Sequence, residues 1–145
     1  MQLQYVPTQD IGVYWDTIKP SLENMARSWR VEDAYCELKE GRADLFLTID
    51  DDNAFTYTIQ SVHKDIQPKF SNATGYIITQ RHGDNLHIWA AYNDTNDVLE
   101  KGLESVKQLA QTYGLKQITF KSYRKAWDKV APKLGFKREL WTYDL

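Results

Sequence analysis

The spacing of hydrophobic and polar positions changes several times along this chain, and each spacing predicts an element. Gln2–Val6 alternates polar and apolar, the period of a short strand. Ile11, Tyr14, Trp15, Ile18, Leu22, Met25 and Trp29 then recur at helical spacing, with Thr8 as the predicted cap. Pro20 lies inside this pattern. It lacks a backbone N–H and crowds the previous turn, so a kink or break is expected there. Val31–Glu40 reads as a second helix, with Glu32 and Asp33 at its start, Lys39 at its end and Gly41 as its stop. Residues 43–62 read as a strand, a turn at Asp51-Asp52-Asn53 and a second strand. Residues 63–74 read as a loop or irregular edge.

Residues 76–92 form two strands around a turn at His82-Gly83-Asp84. A helix over Val98–Tyr113 buries Leu99, Leu103, Val106, Leu109, Ala110 and Tyr113, and Gly114 and Leu115 end it. Gly102 inside that helix costs about 1 kcal/mol relative to Ala, so it is either a close-packing position or a tolerated defect. A strand over 115–123, a helix over 125–134 and a terminal strand over 136–145 complete the chain. The order β-α-α-β-β-(β)-β-α-β-α-β predicts one α/β (α+β) domain spanning 1–145, with a mixed central sheet of six or seven strands and about four helices.

Composition adds exclusions more than assignments. With 145 residues, 42% hydrophobic and 26% charged, the chain can bury one ordinary core. Five Trp and nine Tyr supply large core side chains, and they also suit a partner surface. A net charge of −2 gives no long-range attraction to nucleic acid or to an anionic membrane. No apolar run approaches a membrane span, and the polar start MQLQYVPTQD does not read as a secretory signal. A cytoplasmic setting is therefore expected, and the glycosylation triplets at Asn72 and Asn93 are discounted. Cys36 is the only cysteine and is expected to be a small buried hydrophobe.

The ending KLGFKRELWTYDL, in which Leu134-Gly135-Phe136 closes the last helix before a final strand, resembles the GNAT superfamily of acyl-CoA N-acyltransferases. The element order resembles it over nearly the whole chain. Three stretches resemble small GNAT-like proteins encoded by bacteriophages: IKPSLENM, VEDAYCELKEGRADLFL and YRKAWDKVAPKLGF. The resemblance implies a fold more firmly than an activity.

Active members carry a Gln/Arg-x-x-Gly-x-Gly/Ala loop between the fourth strand and the next helix, whose bare amides hold the coenzyme pyrophosphate. The corresponding loop here runs Asn93, Asp94, Thr95, Asn96, Asp97, Val98, with no Gly before Gly102 and no Arg or Gln. Asp97 and Glu100 have capping-box spacing, so Asp97 is expected to occupy the Glu100 amide while Glu100 reaches back. Its carboxylates would also face an anionic ligand. Two unit charges about 5 Å apart repel by roughly 3 kcal/mol at an effective dielectric near 20.

The resemblance also implies a Tyr four residues before the Gly of Leu-Gly-Phe, as acid for the departing thiolate; Ala131 stands there. Tyr123, Tyr143 and His87 are weak catalytic candidates, and Asp50 and His63 weaker ones still. His82, Asp84 and His87 around one turn have metal-ligand chemistry, although solvated turn residues are the plainer reading. Arg124, Lys125 and Trp127 form a small basic-aromatic cluster that suits a partner, or a core Trp with wet neighbours. The run Asp50-Asp51-Asp52 reads as a polar turn.

Two functions follow as expectations. The first is a GNAT-fold protein without acyl transfer and without a cofactor. It would bind another protein, a phage structural or host protein, in particle assembly or host modulation. The second is an active N-acetyltransferase using acetyl-CoA on an amine or a protein lysine. Self-association through the terminal strand is a third, weaker expectation.

Overall fold

The computed structural model describes residues 1–26, 29–49, 73–95, 97–121, 127–138 and 143. Strands β1 (Gln2–Val6), β2 (Asp44–Ile49), β3 (Gly75–His82), β4 (Asn85–Asn93) and β5 (Gln117–Phe120) form one sheet in that order. Pairing is antiparallel from β1 to β4 and parallel between β4 and β5. The mixed sheet and the four α-helices among the described residues match the expected α/β class. The expected second strand near residues 53–62, the loop over 63–72 and most of the terminal strand lie outside the described residues.

Helices α1 (Ile11–Met25) and α2 (Val31–Lys39) cover one face of the sheet. Their inward residues Ile11, Tyr14, Ile18, Leu22, Val31 and Leu38 meet Leu45, Leu47, Tyr76 and Ile78. Helix α3 (Val98–Thr112) covers the other face, where Leu99, Val106 and Ala110 meet Ile77, Leu86 and Ile88. Helix α4 (Trp127–Lys133) rests on β5 through the rings of Trp127 and Phe120, 5.1 Å apart.

Several local expectations need correction. Helix α1 runs through Pro20 without a break, because Pro20 and Asp16, whose carbonyl loses its donor, are both exposed. Thr8 opens a short 3-10 turn, and the cap position of α1 is Asp10. Trp29 lies beyond the helix and packs on Trp89. Cys36 is exposed rather than buried: α2 turns Val31, Ala34 and Leu38 inward, and position 36 falls on the other side.

Gly102 is a close-packing position. A Cβ there would lie 3.1 Å from the Met1 sulfur, and Ser105 Oγ donates to the Met1 carbonyl at 2.6 Å. The predicted helix ends form as expected. Leu115 N–H bonds the Ala110 carbonyl at 2.9 Å past Gly114, and Phe136 N–H bonds the Ala131 carbonyl at 3.0 Å past Gly135.

Candidate functional site

Strand β4 changes character at Trp89. Ile78 pairs with Ala90 but Thr79 pairs with Ile88, so Trp89 is an extra residue that bulges the strand. Before the bulge Leu86 and Ile88 face α3; after it Ala91 does, while Ala90 joins the opposite core. Pairing with β5 covers only Asn85–Ile88. Beyond Ile88 the two strands are not paired, and the C-terminal half of β4 leads through residues 94–97 to the start of α3. Opposite this half, Gly75 is required. A Cβ at Gly75 would overlap the Tyr92 carbonyl oxygen, so only Gly lets β3 and β4 approach there.

The loop is organised by Asn93, which is 4% exposed. Its Oδ1 accepts the Asp97 amide at 2.9 Å, and its Nδ2 donates to Asp97 Oδ1 at 2.8 Å and to Thr95 Oγ1 at 3.1 Å. Thr95 Oγ1 donates to the same Asp97 oxygen. Lys101 Nζ reaches the other carboxylate oxygen at 3.3 Å. Donation from Thr95 and then Asn93 holds the Asp97 carboxyl down at about 2, below the ordinary 3.8.

This arrangement overturns the expected capping box. Asp97 occupies the cap position but makes no side-chain bond to the helix amides. A buried side-chain amide left unsatisfied costs about 1–3 kcal/mol, and Asn93 is such a buried group. The Asp97 carboxylate therefore turns back to satisfy Asn93. The sequence pattern Asn93-x-Thr95-x-Asp97 carried this signal and was outweighed by the more familiar Asp-x-x-Glu spacing.

Of the catalytic candidates, His87 is held away from this loop. His87 lies before the bulge, six residues from Asn93, or about 20 Å along an extended strand. Its Nδ1 bonds Thr119 Oγ1 at 2.9 Å, and its ring stacks on His82 at 4.8 Å. Tyr143 is 89% exposed. Tyr123, Asn96, Asp50 and His63 lie outside the described residues, as do Arg124 and Lys125. Trp127 is partly buried and committed to the α3-side core.

The His82–Asp84–His87 trio is not arranged for a metal. Asp84 sits 3.7 Å from Lys116, His82 bonds Gln80, and among the described residues no cluster of three ligating side chains forms. No helix among the described residues is long and apolar enough to cross a membrane.

Three solved structures share this architecture. A ribosomal-protein-alanine N-acetyltransferase from Brucella melitensis biovar Abortus 2308 aligns over 99% of this chain and 96% of its own, at 11% identity and a TM-score of 0.63. A predicted acetyltransferase with acetyl-CoA from Clostridium acetobutylicum covers 99% and 94%, at 11% identity and a TM-score of 0.59. An aminoglycoside acetyltransferase from an uncultured soil metagenomic sample, in complex with sisomicin, covers 99% and 94% at 10% identity and a TM-score of 0.57. The fold is that of the GNAT acetyltransferases. No protein-family model matches the chain, and no curated protein matches it. At such identities the GNAT likeness extends to the path of the backbone and no further.

Proposed function

We propose that this chain uses the GNAT fold without acyl transfer and acts by binding another protein. The observation that carries this reading is the loop after β4. It holds an ionised Asp97 carboxylate beside the start of α3, fixed by Asn93 and Thr95, and it has no glycine from Asn93 to Lys101. A pyrophosphate needs close backbone approach and positive potential at that place. Cβ atoms obstruct the first, and Asp94 and Asp97 oppose the second. Lys101 and solvent screen part of this charge, so shape and charge act together. The resemblance to bacteriophage-encoded proteins suggests a partner in particle assembly or among host proteins.

A second reading has its own support. The first amides of α3 carry no cap from Asp97, and β4 parts from β5 beyond Ile88. Both features suit an N-acetyltransferase that takes acetyl-CoA and an amine or a protein lysine. Isothermal titration of acetyl-CoA into the full chain separates the two readings. The proposal expects no saturable heat up to about 1 mM, a free energy weaker than about −4 kcal/mol. Saturable binding in the micromolar range overturns it. In that case binding persists or tightens in Asp97→Ala, since the carboxylate only opposes the ligand.

A further inference from the structure

On the α2-covered face, at the end of the sheet away from the loop, a chain of polar groups crosses four elements, α2, β3, β4 and β5. Arg42 grips Glu37 through Nε and Nη2 at 3.0–3.1 Å and holds its carboxyl below the usual range. Gln80 Nε2 donates to Glu37 Oε2 at 2.8 Å. An ionised carboxylate only accepts, so the Gln80 amide must present its oxygen to His82, whose Nε2 lies 2.8 Å away and therefore carries a proton. The His82 ring stacks on His87 at 4.8 Å with 12° between planes, and His87 Nδ1 meets Thr119 Oγ1 on β5 at 2.9 Å.

We propose that the His82–His87 stack is a proton-sensitive clasp that holds β5, and α4 with it, on the sheet at neutral pH and loosens in acid. The proposal is independent of whether the protein binds acyl-CoA. Its geometric basis is the shortness of the β4–β5 ladder. Only Asn85–Ile88 pair with Gln117–Phe120, and His87–Thr119 is one of those four pairs. Phe120 in turn carries Trp127 and Phe136, at 5.1 and 4.9 Å, so α4 and its closing turn move with β5.

Parallel imidazoles this close oppose a second positive charge. The charged groups facing His87 are unfavourable to a proton: His82 on β3 and Lys121 just past β5. The carboxylate of Glu37 on α2 is spent on Arg42 and Gln80, and Asp84 in the turn pairs with Lys116.

Burial first, then His82 and Lys121, lowers the His87 proton affinity below the ordinary 6.5. A ring released from the clasp regains 6.5 and binds protons more readily. The clasp therefore stands at full strength above pH 6.5 and weakens as pH falls below it. At pH 5.5 the opened form gains at most about tenfold in population.

Hydrogen exchange on the full chain at pH 7.5 and 5.5, corrected for intrinsic rates, reads this directly. The expected result is a loss of protection at Gln117–Phe120 of more than about twofold and no more than about tenfold, with β2 unchanged. In His87→Gln, which keeps a polar partner for Thr119, the loss shrinks to less than about twofold. No loss in the parent chain, or the same loss in the variant, overturns the proposal. Should His87→Gln fail to fold, an NMR titration of the parent decides: the His87 ring must titrate below 6.5, and a midpoint at or above 6.5 overturns the clasp.

Discussion

The two halves of β4 share a strand but not an environment. Asn85–Ile88 is paired with β3 and β5, and its side chains alternate between the α3 core and the histidine stack. Ala90–Asn93 pairs with β3, is unpaired with β5, and ends in a loop built around one buried Asn. One extra residue, Trp89, separates the halves and exchanges their faces. The first half is organised by side chains that reach across strands. The second half is organised by backbone: a glycine that admits a carbonyl, and an Asn that ties the loop to the strand. The backbone path is shared with acetyltransferases, and the proposed function turns on the loop at the end of the second half.

The comparison can be broken by substitution in each half. Gly75→Ala places a methyl group on the Tyr92 carbonyl, and rigid backbone cannot yield as a side chain does. A loss of about 3 kcal/mol or more is expected in urea denaturation. A loss below about 1 kcal/mol would mean that the open half does not depend on this close approach. Leu86→Ala in the paired half removes a fully buried side chain from the α3 core and should cost about 3 kcal/mol, measured the same way.

Acid titration tests the loop with a smaller effect. The folded Asp97 carboxyl lies at about 2, below the ordinary 3.8, so its stabilising contribution is complete above 3.8 and lost as pH falls towards 2. Asp97→Asn should flatten the stability profile in that window. An unchanged profile would show that the Asn93–Thr95–Asp97 bonds do not hold the loop.

Much of the fold was legible in the sequence because single elements announce themselves. Helix α3 has an apolar stripe and a Gly114–Leu115 end, and both report local physics. The Gly83-Asp84 turn, with Gly83 at φ +59°, and the Gly135 helix end were equally local signals. Pro20 does not break α1, because Pro20 and Asp16 lie on the exposed side, and the rest of the fold decides that side. Cys36 misled because the phase of a short helix is set by its partners.

The site was less legible. The run Ile88-Trp89-Ala90-Ala91 breaks the alternation of β4 and so hints at a bulge, but only the β3 register assigns it to Trp89. The histidine stack needs that register too, since His82 and His87 meet only once β3 and β4 are aligned. The capping box failed for an energetic reason. The Asp97 carboxylate serves the buried side-chain amide of Asn93 instead of the helix amides.

The central claim is that the loop after β4 does not receive a coenzyme pyrophosphate. An NMR titration of coenzyme A into labelled protein, following the amides of Val98, Leu99 and Glu100, addresses those groups themselves. The account predicts that these resonances stay where they are up to about millimolar ligand. Saturable shifts centred on them would contradict it.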